Sequence, residues 1–159
     1  MPSGRIHTLS SLVVATVSYP TLLLSGLSGS SATGCSVGAL VGILINCDAD
    51  VDGGSIADFY IRVYTGKAVE MMWDRLWTPY RKVCRHRGFL SHAPIISTVL
   101  RIAYLSVFYF LVATPLKWVA SLVHVDWMLF LWWAFVGLVL ADTSHWGLDK
   151  LDEMFGGRL

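Results

Sequence analysis

An all-α bundle embedded in a membrane, with about four spans and short amphipathic cap helices, is the fold class that three observations predict. The 159 residues are 55% hydrophobic and only 14% charged, outside the usual range for a soluble domain. Four apolar runs recur at about residues 9–28, 33–47, 95–113 and 122–146, and the segment 53–82 carries helical rather than alternating periodicity. The length, residues 1–159, fits one membrane-embedded domain. A net charge of +1 excludes the basic face that nucleic-acid binding needs. Three cysteines, Cys35, Cys47 and Cys84, show no Cys-x-x-Cys spacing, so they read as buried free thiols rather than a disulfide framework.

The first run, LSSLVVATVSYPTLLLSGLS, has no charge and is long enough for the ~30 Å hydrocarbon layer. Pro20 is a candidate kink. We read the run as a retained helix rather than a cleaved signal, because Ala32-Thr33-Gly34-Cys35 lacks the usual leucine of a lipoprotein cleavage box and cleavage would discard His7. Residues 28–34, SGSSATG, read as a turn. The second run would reach only roughly 22 Å, so it is either a short span or a helix buried among others. Its Gly34, Gly38 and Gly42 recur every four residues and offer a smooth face for close helix contact.

In the cap segment, Ile56, Phe59, Tyr60 and Val63, then Val69, Met72, Trp73 and Leu76, fall at i, i+3, i+4, i+7, which predicts two short amphipathic helices. Trp73, Trp77 and Tyr80 beside Arg75, Arg81 and Lys82 suit a lipid headgroup boundary, or a cap packed over the bundle. The third run carries Arg101, which must snorkel or face a polar interior. Pro115 breaks the chain before the fourth run, whose apolar core is 127–141 and whose helix could start near Trp118 and continue through SHWGLDKL. The short second and fourth runs also leave open a monotopic bundle resting in one leaflet.

The polar residues carry the functional signal. His7 precedes the first run, Asp48, Asp50 and Asp52 close the second, His86 and His92 lead into the third, and Asp142, His145 and Asp149 follow the fourth. If each run crosses once, alternation gathers all of them on one side. The basic residues share that side, with only Lys117 opposite, so the positive-inside bias makes it cytoplasmic. Asp-Ala-Asp-Val-Asp resembles a calcium loop, but Phe59 stands at the twelfth position where an EF-hand needs glutamate. His86 and His92 converge only through a turn at Gly88. Asp142, His145 and Asp149 lie at i, i+3 and i+7 on one helix face, with His145 and Asp149 the tighter i, i+4 pair. Each element has a plainer alternative: a solvated acidic turn, solvated loop cations, a helix-stabilising pair.

Imidazoles with carboxylates and no thiolate favour a divalent metal, zinc first and manganese or iron next, as one ion or two. Two adjacent ions would suit hydrolysis of a phosphoester. Arg85 and Arg87 flank His86 and suit an anionic ligand such as phosphate, and Asp52 or Asp142 is the spare carboxylate for a general base. His124 with Asp126 falls on the opposite side and reads as interfacial.

Gly4 and His7 before the first run, Asp-x-Asp after the second, His-Arg-Gly-Phe-Leu-Ser-His at 86–92 and Ser-His-x-x-x-Asp in the fourth run together resemble a bacterial family. These are metal-binding membrane proteins of unknown function, related to the LexA-regulated, inner-membrane metal-dependent hydrolases and more distantly similar to zinc-dependent phospholipase C proteins. The resemblance implies His7, Asp48, Asp50, His86, His92, His145 and Asp149 as metal ligands, in a protein integral to the bacterial inner membrane. The activity it implies is metal-dependent hydrolysis of an ester or phosphoester, plausibly in a lipid of the surrounding bilayer. The rival expectation is a metal-binding membrane protein without hydrolytic chemistry, serving transport, sensing or structure. Ligand candidates confined to one side favour a site over a conduit.

Overall fold

The computed structural model describes residues 4–46, 48, 55–84, 93–108 and 126–156. Among the described residues there are six α-helices and no strand: α1 Gly4–Leu24, α2 Gly29–Val41, α3 Ile56–Thr65, α4 Lys67–Val83, α5 Pro94–Ser106 and α6 Trp127–Met154.

Helix α1 begins early enough to carry His7 and continues through Pro20. It ends on Gly26 at φ +80°, where Leu27 N–H reaches the Leu22 carbonyl at 3.0 Å, a left-handed stop that glycine adopts without steric cost. The turn expected over 28–34 is shorter than the composition suggested. Ser28 caps α2 by accepting from the Ser31 backbone N–H, so SSATG is already helix.

At 13 residues, α2 reaches roughly 20 Å and is the buried helix of the two alternatives, packed against α1 and α6. Its glycine face makes that packing possible. A Cβ on Gly38 would lie 1.9 Å from the Ala134 carbonyl oxygen of α6, and one on Gly34 would lie 2.3 Å from that of Phe130. The fit is reciprocal, since a Cβ on Gly137 of α6 would meet the Cys35 carbonyl oxygen at 1.9 Å. Only backbone against backbone fits here.

The cap helices form as the periodicity predicts. Ser55 and Asp58 make a reciprocal capping box at the start of α3 (3.1 and 3.2 Å), and Gly66 at φ +89° turns the chain into α4. Trp77 and Tyr80 are buried rather than at a headgroup boundary. They pack with Cys84 against Leu100 and Tyr104 of α5, and the Tyr104 hydroxyl donates to the Leu76 carbonyl. Arg75 and Lys82 keep the exposed side of α4.

Helix α5 opens on Pro94, where its missing N–H costs nothing, and its 13 residues cover the first part of the expected span 95–113, of which 109–113 lie outside the described residues. Helix α6 starts at Trp127 rather than near 118 or 122, because the Asp126 carboxylate caps it by accepting from Leu129 N–H at 3.1 Å. It then runs without a break to Met154, through the SHWGLDKL segment expected to continue it and past the expected span end at 146. By length and composition, α1 from Arg5 and α6 could each cross a bilayer. Of the four spans expected from sequence, two helices of crossing length are seen among the described residues.

Candidate metal centre

Helices α1 and α6 run antiparallel, so the start of one meets the end of the other. One turn inside that junction the Ser10 and Ser144 hydroxyls meet at 3.3 Å, and Ser10 also donates to the His7 carbonyl at 2.8 Å. His7 and His145 are thereby brought face to face. Their rings stack with centroids 3.6 Å apart and planes 8° from parallel, and both are buried.

Two carboxylates close on the pair. His7 Nε2 lies 3.2 Å from Asp149 Oδ1, and His145 Nε2 lies 3.6 Å from Asp149 Oδ2 and 3.4 Å from Asp48 Oδ2. One ligand atom each from His7, His145 and Asp149 falls within a common 4.8 Å. Two of these N···O separations exceed the range of a good N–H···O bond, about 2.7–3.2 Å. All three lie near the edge of a tetrahedron built on ~2.1 Å metal–ligand bonds, about 3.4 Å. The donor set fits a divalent ion: two imidazoles and two carboxylates would neutralise its charge, and no thiolate intrudes. His7 Nδ1, buried, has no hydrogen-bond partner among the described residues.

Asp48 is held by its own neighbour. Its backbone N–H donates to Asn46 Oδ1 at 3.0 Å, while Asn46 Nδ2 donates to the Ile43 carbonyl at 3.2 Å. Asn46 is buried, so the carboxylate leaves the end of α2 in a defined direction.

Asp142 shares the α6 face with His145 and Asp149 but turns to a different partner. It forms a fully buried ion pair with Arg101 of α5, and the Thr98 hydroxyl donates to the same carboxylate. Arg101 thus faces a polar interior, as a charge inside an apolar helix must. Ser97 and Thr98 extend that polar stripe at 3.5 and 3.4 Å from its guanidinium.

Of the residues singled out from sequence, the structure brings together His7, Asp48, His145 and Asp149. Asp50, Asp52, Arg85, His86, Arg87, His92 and His124 lie outside the described residues. Ser10, Asn46 and Thr98 were not anticipated, and Ser144 entered only as part of the Ser-His-x-x-x-Asp pattern. Ser10 one turn from His7 and Ser144 next to His145 were visible, but nothing in the sequence paired the two.

Over residues 2–156 the chain matches the family described as Uncharacterized metal-binding protein (DUF2227). No curated protein and no solved structure matches it.

Proposed function

The chain belongs to this family of uncharacterized metal-binding proteins, and we propose, beyond that membership, that it is a membrane-bound, metal-dependent hydrolase acting on an ester or phosphoester. The observation that carries the proposal is the buried His7–His145–Asp149 cluster, with N···O separations of 3.2 and 3.6 Å, at the end of two helices of membrane-crossing length. Two histidines and one carboxylate are a donor set used where a zinc site keeps a position open for chemistry; structural zinc sites are closed and rich in cysteine.

His7, His145 and Asp149 would hold the ion, with Asp48 close enough to His145 to join them. A divalent ion there supplies Lewis acidity. Asp48, with a side chain 21% exposed against 12% for Asp149, is the carboxylate best placed to exchange a proton with water and serve as general base, with Asp52 as its alternate. Asp142 is neutralised by Arg101 and docks α5 beside His145, so its role is positional. Arg85 and Arg87 would neutralise a phosphate. His86, His92 and Asp50 are the candidates for a second ion. The clustering of basic residues at this end favours a cytoplasmic orientation in an inner membrane.

Elemental analysis of detergent-purified protein tests the ligand set, comparing wild type with His7→Ala and with His145→Ala/Asp149→Ala. Stoichiometric zinc, manganese or iron in wild type and its loss in both variants is the expected result, followed by hydrolysis of a phosphodiester probe that tracks metal content. Metal without turnover on phosphoester, ester and phospholipid probes would support the second reading, a metal held for structure, sensing or transport, which the near-complete burial of both imidazoles favours.

A further inference from the structure

The metal cluster is not the only feature between α1 and α6. Starting beside Ser144, next to His145, a groove of about 510 Å³ runs away from the cluster along both helices. Val13, Val17 and Leu22 form one wall, Trp133 and Leu140 the other, and Cys35 of α2 lies along it. No charged residue among the described ones lines it. The hydroxyls on its walls are already committed: Ser18 donates to Val14, Thr21 to Val17, Thr143 to Val139 and Ser144 to Ala141, each to a backbone carbonyl of its own helix at 2.6–2.8 Å. The groove therefore asks its occupant for no hydrogen bond.

Its proportions suit an extended occupant. From Val13 to Leu22 the wall is about 13 Å long at 1.5 Å per residue, and about 510 Å³ along it gives room for a single extended hydrocarbon chain. Both walls belong to the two helices of crossing length, whose outward faces carry exposed Val13, Val17, Leu131 and Trp132. In a bilayer the solvent at such a groove is lipid.

We propose that the groove holds one acyl chain of a membrane phospholipid whose phosphate-bearing headgroup lies at the His7–His145–Asp149 cluster. This rests on the hydrolase reading and gives it a substrate class, a phosphoester carried by a lipid. Apolar wall and metal-binding end are continuous through Ser144 and the Ser10 contact, so chain and headgroup meet the two chemistries in the order a phospholipid presents them. Each methylene buried adds to retention, as it does for any lipid chain leaving water or detergent.

Native mass spectrometry of the full chain, metal-loaded and exchanged through detergent with palmitoyl-oleoyl phosphatidylglycerol, tests the proposal. Wild type is expected to retain one lipid. Val17→Trp and Leu140→Trp, each filling the groove from a half-exposed position on a different helix, are expected to lose it. Leu12→Trp, off the groove, keeps it, and all four proteins hold the same metal. The matching diacylglycerol, lacking phosphate, is expected to be retained several-fold less. Retention by both groove variants at the wild-type level would overturn the acyl site, as would a two-chain species, without lipid, that the same substitutions dissolve. Equal retention of diacylglycerol would overturn the headgroup placement. Groove-dependent lipid retention in a protein that carries no metal would sink the metal reading alone and leave the acyl groove in place.

Discussion

His145 faces two carboxylates at once, Asp48 at 3.4 Å and Asp149 at 3.6 Å, and it stacks on His7. Truncating it removes a ligand and uncouples the other three, so His145→Ala should lower metal occupancy at least tenfold, whereas His124→Ala should leave it unchanged; both are read by elemental analysis. The Arg101–Asp142 pair obeys a different rule. Removing one partner strands a buried charge, so Arg101→Leu alone should cost about 3–5 kcal/mol, while Arg101→Met with Asp142→Leu should recover most of that. Thermal unfolding in detergent measures the difference. At this scale the sequence was partly legible. His145 and Asp149 at i, i+4 announced a shared target because a helix stacks such residues. That Asp142 would leave the group for Arg101 could not be read, because which neighbour a helix face meets is decided by the docking of α5, not by spacing along α6.

Helix α2 was legible in its chemistry and not in its limits. Glycines at every fourth position predicted a backbone-to-backbone contact, and α6 supplies it with Gly137 in return. The start of the helix was hidden because Ser28 and the small residues after it suit a cap as well as a turn. Apolar composition likewise does not separate a buried helix from a spanning one, so of the four runs read as spans two helices among the described residues have the length. Gly38→Leu should destabilise by at least the about 1–3 kcal/mol of an overpacked core, since the obstruction is the Ala134 carbonyl rather than a side chain that can rotate away. Gly29→Ala, with open space around it, should be neutral. A paired melting curve decides.

Across the whole molecule, the cluster joins α1 and α6, with Asp48 from the chain after α2. An ion that binds only this folded arrangement adds to its stability, about 2.7 kcal/mol when free metal is a hundredfold above its dissociation constant. Chelation should therefore lower the melting temperature of wild type and leave that of His145→Ala/Asp149→Ala unmoved. The contact between Ser10 and Ser144 spans 134 positions of sequence. During synthesis, α1 emerges long before α6 exists, and for all that time His7 has no counterpart. A nascent chain stalled, or a chain clipped, ahead of Trp127 has His7 but neither His145 nor Asp149, so the cluster is assembled only in a finished copy. Co-expressing residues 1–125 and 126–159 as separate pieces should restore metal only when the two are recovered together.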